Sequence, residues 1–206
     1  MPVTLHDVGH RFDGGPWLFR GLNLEFRAGR VYALTGPSGS GKSTLLSLLA
    51  RLEHPREGII GFEEVSRVNW VFQNPSGAPR RSACDHVMLP LIGAGMDPIE
   101  AKRAAIEWLR RFRLGPTRDR PFRELSGGEA QRLMLARGMA SKPDLLLVDE
   151  PTAQLDRETA AHVDAVLGSL SGSDAIVVIA THDENTRDAC TDHIDLADRA
   201  QRVKPL

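Results

Sequence analysis

The chain has 206 residues, 41% of them hydrophobic, with 26 Lys and Arg against 27 Asp and Glu for a formal net charge of −1. That length suffices for one sizeable domain with a small subdomain. The balanced charge gives no global electrostatic case for nucleic acid or an anionic membrane surface as a partner. In chain order, Met1 to Leu5 shows no basic stretch leading into an apolar one, so no secretory signal is expected. Val3 to Val8 alternates and reads as a half-buried strand. Asp13 to Pro16 is a turn, Leu22 to Phe26 alternates again, and Ala28 to Arg30 turns the chain once more. The start is therefore expected as a small antiparallel sheet.

Val31 to Thr35 is an apolar run that reads as a buried strand, and Thr44 to Ala50 reads as a helix. Between them lie Gly36, Pro37, Ser38, Gly39, Ser40, Gly41, Lys42, Ser43 and Thr44, which fit the P-loop pattern G-x-x-x-x-G-K-[ST]. Glycines let the backbone turn tightly, so that successive N–H groups point at phosphate oxygens, and the following helix N-terminus adds partial positive charge. Lys42 then reaches β- and γ-phosphates, and the Ser43 hydroxyl serves Mg²⁺. A glycine-rich turn that binds nothing is the competing reading; the strand and helix on either side argue against it. The motif alone leaves kinases, GTPases, motors and transporters open.

Glu53 to Gly58 breaks the pattern, and the short apolar stretches Ile59-Ile60 and Val68 to Phe72 follow. The second leads into Gln73, which reads either as a Mg²⁺ or water ligand or as a strand-terminal glutamine in a turn. Cys84 to Ile92 and Pro98 to Phe112 read as helices, the latter with Ile99, Ala105, Ile106, Leu109 and Phe112 inward and its basic residues on a solvated face. No strand signal occurs from Gln73 to Leu125, so an all-helical insertion is expected at about 76–125. Ser126, Gly127, Gly128 and Glu129 head another helix, reading either as an anion site or as a simple helix cap. Leu145 to Val148 is a buried strand that delivers Asp149, suited to hold Mg²⁺, and Glu150, suited to polarise an attacking water.

Arg157 to Leu170 reads as a helix with Ala161, Val163, Val166, Leu167 and Leu170 inward. Ala175 to Ala180 is a continuous apolar strand of the kind a parallel sheet buries, ending at His182 on the ligand side. The other six of the seven histidines are expected at the surface. Cys84 and Cys190 match no metal spacing and are expected as free thiols. No apolar run approaches the roughly 20 residues of a membrane span, so the chain is not expected to cross a bilayer itself. The tail from Ile194 to Leu206 adds no domain.

Taken together these segments resemble the ATP-binding subunit of ABC transporters, across essentially the whole chain. Gly36 to Thr44 is similar to Walker A, Gln73 to the Q-loop, and Leu125 to Glu129 to the family signature. Leu145 to Glu150 is similar to Walker B with its catalytic glutamate, Ala153 to Asp156 to the D-loop, and His182 to the switch histidine. The resemblance implies an α/β fold: a P-loop NTPase core with a mostly parallel sheet, an N-terminal antiparallel β subdomain and an inserted α-helical subdomain, all within residues 1–206. It implies ATP and Mg²⁺ as ligands. Ser43, Gln73 and Asp149 would organise the metal, Lys42 and the loop amides the phosphates, and Glu150 would be the general base with His182 on the γ-phosphate. Phe12 falls where the family stacks an aromatic residue on adenine; Trp17 is the competing aromatic. ATP would lie between the P-loop of one subunit and Ser126, Gly127, Gly128 and Glu129 of another, with Asp156 alongside, so a homodimer is implied.

A membrane permease would dock at Gln73 to Arg120, which puts the chain on the cytoplasmic face of the cell membrane. Asp85 to Leu91 resembles a stretch common in lipoprotein- and macrolide-exporter ATPases, although compact importers share the length. The competing class is a soluble ABC ATPase without a membrane partner, of the iron–sulfur assembly type; a P-loop kinase would need an acceptor-substrate lid. Two departures from the family are local: the segment from Lys42 to Gln73 is short, which implies a trimmed antiparallel subdomain, and the tail reads Leu196-Ala-Asp-Arg-Ala where an Asp-Gly turn is common.

Overall fold

The structure, a computed structural model, describes residues 1–197; the tail from residue 198, with most of its departure from the family pattern, lies outside the described residues. The elements in chain order are β1 (Pro2–His10), β2 (Phe19–Arg27), β3 (Val31–Thr35), α1 (Lys42–Leu49), β4 (Glu57–Phe62), β5 (Val68–Val71), α2 (Ala83–Gly93) and α3 (Pro98–Arg111). They continue with α4 (Gly127–Ala140), β6 (Leu145–Asp149), α5 (Arg157–Gly168), β7 (Ile176–Ala180), α6 (Glu184–Asp188) and β8 (Asp192–Asp195).

Two sheets result. β2, β1 and β4 form an antiparallel sheet, with Val3 opposite Phe26 on one side and Phe62 on the other. The short stretch around Ile59 and Ile60 is thus its third strand. The second sheet is parallel, in the order β5-β6-β7-β3-β8. Its central strands are apolar on both faces, as a sheet covered on both sides requires. Alternate residues go to different cores. Leu146, Val148, Val177 and Ile179 pack with α2 to α5. Leu145, Leu147, Val178 and Ala180 pack with α1 and the antiparallel sheet.

Between Gln73 and Leu125 the chain is helical, with two short 3₁₀ turns after α3, and α2, α3 and α4 pack on one another. Ser82 caps α2 by a reciprocal box with Asp85, and Asp97 caps α3 ahead of Pro98. Ala105, Leu109 and Phe112 are fully buried as expected, but Ile99 is 65% exposed. Ile99 sits in the first turn of α3. On α5 the inward face is Val163, Asp164 and Leu167, and Ala161 is exposed.

Two histidines expected at the surface are buried. His86 is sealed between α2 and the loop before it, its Nε2 accepting from Ala78 N (2.9 Å) and its Nδ1 lying 2.7 Å from Ser82 O. His10 is buried at the end of β1, edge-on to Phe12. β8 was not anticipated: three of its four residues are polar, and Ile194 alone is buried. Both cysteines are free thiols. Among the described residues no helix is long and apolar enough to cross a membrane.

Candidate functional site

The parallel sheet aims the carboxyl ends of its strands at one place. β3 ends at Thr35 and feeds the glycine loop, β6 ends at Asp149, β7 ends just before His182, and β5 ends shortly before Gln73. Together they bound a cleft of about 690 Å³ lined by Phe12, Leu18, Gly36, Pro37, Ser38, Gly39, Gly41, Lys42, Ser43, Thr44, Gln73, Asp149, Glu150 and His182. Thirteen of these are residues the sequence singled out; the addition is Leu18, an apolar residue beside Trp17 that carries no chemical signal.

The loop is built around two glycines. Gly36 has φ 141°, and a Cβ there would come within 2.7 Å of Ser40 Oγ. Gly41 has φ 93°, and a Cβ there would meet the Phe19 ring at 2.9 Å. Any other residue would be strained at both positions, and would press on Ser40 of the loop or on the Phe19 ring of β2. Ser40 itself turns under the loop, its N–H donating to Pro37 O, and does not line the cleft. Lys42, the first residue of α1, curls back so that its ammonium donates to Gly36 O (2.8 Å) and Pro37 O (3.3 Å). The loop thus holds a cation at its centre.

Asp149 is 8% exposed, and burial pushes its carboxyl up. A hydrogen bond from the Ser43 hydroxyl and the Lys42 charge pull it back, while Glu150 pushes it further up. A buried carboxylate with a hydroxyl against it, beside the Gln73 amide, is a hard oxygen donor set that suits Mg²⁺. No group of three or more His, Cys, Asp and Glu able to hold a metal exists among the described residues.

Glu150 follows with φ 48°, a left-handed conformation uncommon for a residue with a side chain. Its N–H donates to Ala180 O on β7 (2.9 Å). This turn swings the side chain toward His182, whose Nδ1 lies 2.8 Å from Glu150 Oε1. The carboxylate accepts, so Nδ1 carries the proton. The Glu150 side chain is 12% exposed and that of His182 is 71% exposed, so the carboxylate is sheltered and the imidazole open to solvent.

Ser126, Gly127, Gly128, Glu129 and Asp156 do not line this cleft. Ser126 caps α4 by a reciprocal box with Glu129: Ser126 N donates to Glu129 Oε2 (2.7 Å) and Glu129 N to Ser126 Oγ (3.2 Å). Gly127 is exposed beside Gln154. Asp156 caps α5, accepting from Thr159 N and from Thr159 Oγ1. Phe12 is 56% exposed at the cleft, whereas Trp17 is flanked by the guanidinium groups of Arg11 and Arg20 and stays outside it.

A glycine loop on a parallel sheet, with a strand-end carboxylate pair and a histidine opposite, defines a P-loop ATPase cassette. The family model described as ABC transporter matches residues 19–153, and the chain belongs to that family. It is 37% identical over 200 residues to an ABC transporter ATP-binding protein of Mycobacterium tuberculosis, covering 90% of this chain and 58% of that protein. The chain therefore spans little more than half the length of that relative. It is also 37% identical to the lipoprotein-releasing system ATP-binding protein LolD of Paramagnetospirillum magneticum, covering 90% of this chain and 85% of that one. To the macrolide export ATP-binding/permease protein MacB of Nitrosomonas europaea it is 34% identical, over 98% of this chain and 32% of that protein. Among solved structures, the ATP-binding cassette MJ0796, a dimer in a post-hydrolysis state bound to ADP and Pi, superposes with a TM-score of 0.83 at 30% identity, covering 94% of this chain and 93% of that one.

Proposed function

We propose that the chain binds MgATP, hydrolyses it between two copies of itself, and thereby powers a membrane-embedded transporter of the exporter type. The observation that carries the reading is the 2.8 Å contact between Glu150 and His182 across the cleft from Lys42. It supports a reading in which Glu150 is a base, His182 its switchable partner and Lys42 the phosphate-binding cation.

In this reading the Lys42 ammonium exchanges the carbonyls of Gly36 and Pro37 for β- and γ-phosphate oxygens, and the loop N–H groups complete the cradle. Ser43, Asp149 and Gln73 hold Mg²⁺, whose chemistry when bound is to neutralise phosphate charge. Glu150 accepts the proton of a water that attacks the γ-phosphorus as the bond to the β-phosphate oxygen breaks and ADP leaves. His182, released from Glu150, turns its ring to the γ-phosphate. Phe12 stacks on adenine.

Because Ser126, Gly127 and Gly128 lie outside their own cleft, a second copy supplies them. The first N–H groups of a helix have no partner inside it, so the start of α4 offers them to the γ-phosphate of the facing subunit. The dimeric MJ0796 cassette with ADP and Pi supports this arrangement. The names of LolD and MacB support export as the use. The membrane partner has a fitting surface: a groove of about 310 Å³ beside Gln73, lined by Trp70, Phe72, Pro90 and Met134 among others. Phe72, Leu89 and Ile92 stand exposed nearby. A permease seated there holds the chain at the cytoplasmic face of the membrane.

The test is Glu150→Gln, which keeps the side chain's size and removes the base. With ATP and Mg²⁺ the variant is expected to run as a dimer on size exclusion and to release phosphate at least about a hundredfold more slowly than the unaltered chain. Hydrolysis at the original rate would show that Glu150 is not the base. A membrane subunit co-purifying from detergent-solubilised membranes supports transport; a cytosolic complex would overturn that part.

A further inference from the structure

Behind the Glu150–His182 pair lies a chain of buried polar groups that the proposed reaction does not use. Thr152, Thr186 and Asp164 are 7%, 1% and 5% exposed. Thr186 Oγ1 donates to Asp164 Oδ1 (2.8 Å), and Thr152 Oγ1 lies 3.1 Å from Thr186 Oγ1. A hydroxyl has one proton, and that of Thr186 is given to the carboxylate, so Thr152 is the donor in the second bond. The chain runs Thr152 to Thr186 to Asp164 and ends on an acceptor that makes no salt bridge among the described residues. The Asp164 carboxyl is pushed up by burial, and the Thr186 hydroxyl partly offsets this.

The placement of the three matters more than their chemistry alone. Thr152 is two residues after Glu150, Thr186 is four after His182, and Asp164 stands on α5, which packs against α6. Glu150 and His182 sit on two loops tied together on the sheet side by the bond from Glu150 N to Ala180 O. The hydroxyl chain ties the turn after Glu150, through Thr152, to α6, which follows His182, and anchors both to α5. An apolar trio could fill this seam without the desolvation cost of a carboxylate. What the polar chain adds is a directional link of fixed length.

We propose that Asp164 is a positioning residue which, through Thr186 and Thr152, sets the geometry in which Glu150 and His182 meet before His182 turns to the γ-phosphate. The inference rests on the ATPase reading above for its kinetic consequence, not for its geometry.

The test uses the full chain, with steady-state ATP hydrolysis, melting temperature and ¹⁵N NMR of the His182 ring. Thr152→Val keeps the shape and leaves no buried donor unpaired. It is expected to lower kcat about tenfold with KM for ATP within about twofold and little loss of melting temperature. It should also move the His182 Nδ1 resonance toward its position in Glu150→Gln. The triple variant Thr152→Val, Asp164→Leu, Thr186→Val replaces every member of the chain by an apolar group, so the fold survives while kcat stays about tenfold low. Asp164→Asn retains an acceptor and is expected to restore kcat to within about threefold of the original. If Thr152→Val and the triple variant turn over at the original rate, or if the Nδ1 resonance stays where it was, the proposal is overturned. Should the unaltered chain fail to hydrolyse ATP, the ATPase reading falls, and the Nδ1 resonance still decides the positioning role on its own.

Discussion

Gly138, in the last turn of α4, packs closely against Val71 of β5. A glycine inside a helix is replaced by alanine with a usual gain of about 1 kcal/mol. Here the sign reverses. An ideal Cβ at Gly138 would lie 2.8 Å from Val71 Cγ2 and 3.5 Å from Leu146 Cδ1. Carbon atoms in contact rest at about 3.5–4.0 Å, so the new methyl is too close to Val71 by roughly 0.7 Å. Neither side yields easily: Val71 is paired with Val148 in the sheet, and α4 is buried on most of its surface. Overpacking of this kind costs about 1–3 kcal/mol, which exceeds the helix gain. Gly138→Ala is therefore expected to destabilise by about 1 kcal/mol net and to lower the melting temperature by about 2–4 °C for a domain of this size. Thermal and urea denaturation measure it. Adding Val71→Ala removes the opposing methyl, and the double variant should be more stable than the sum of the singles by at least about 0.5 kcal/mol. A melting temperature for Gly138→Ala at or above the original, or strict additivity in the cycle, would refute the reasoning.

Two further outcomes follow from other parts of the molecule. Burial pushes the Asp144 carboxyl up, but N–H groups of Arg67 and Ser66 and their side chains more than offset it and hold the group well below the usual carboxylate range. A depressed folded-state value means stability that is present above the unfolded value of about 3.9 and lost as pH falls through the folded one. Asp144→Asn should thus be less stable than the original chain at pH 7, with the gap narrowing on acidification below about pH 4; urea denaturation at pH 7 and pH 3 checks this, and an equal gap at both would contradict it. Phe12→Ala should raise KM for ATP at least about fivefold, from the loss of about 1–3 kcal/mol of base stacking, while Trp17→Ala leaves KM unchanged. The opposite ranking in a steady-state assay would assign adenine to Trp17.

The core of the site was legible because its chemistry requires unusual residues in fixed places. Glycines at 36 and 41, carboxylates at the end of an apolar strand and a histidine past another announce themselves without a structure. The arrangement of Glu150 was harder to see. Strand alternation would have sent its side chain away from Asp149, and only the left-handed turn brings it to His182. β8 escaped notice because a four-residue strand with one buried side chain has no readable period. Burial of His86 depends on a partner brought up by the fold, Phe122, and a polar residue type gives no warning of that. Asp164 illustrates the same point from the opposite direction: helical periodicity on α5 put Ala161 inside, while the fold buried a charge-bearing residue beside Val163.

The parallel sheet divides the molecule's oil into two compartments with a wall one strand thick. Neighbouring residues of β6 and β7 belong to different compartments, and none of the described side chains belongs to both. Damage on one side, such as a methyl forced between α4 and β5, is transmitted to the other only through the hydrogen-bonded ribbon itself. Substitutions in opposite compartments should therefore add, as independent sites do. The strand ends at the cleft are the shared border of the two compartments, so a ligand seated there touches the backbone that both halves depend on.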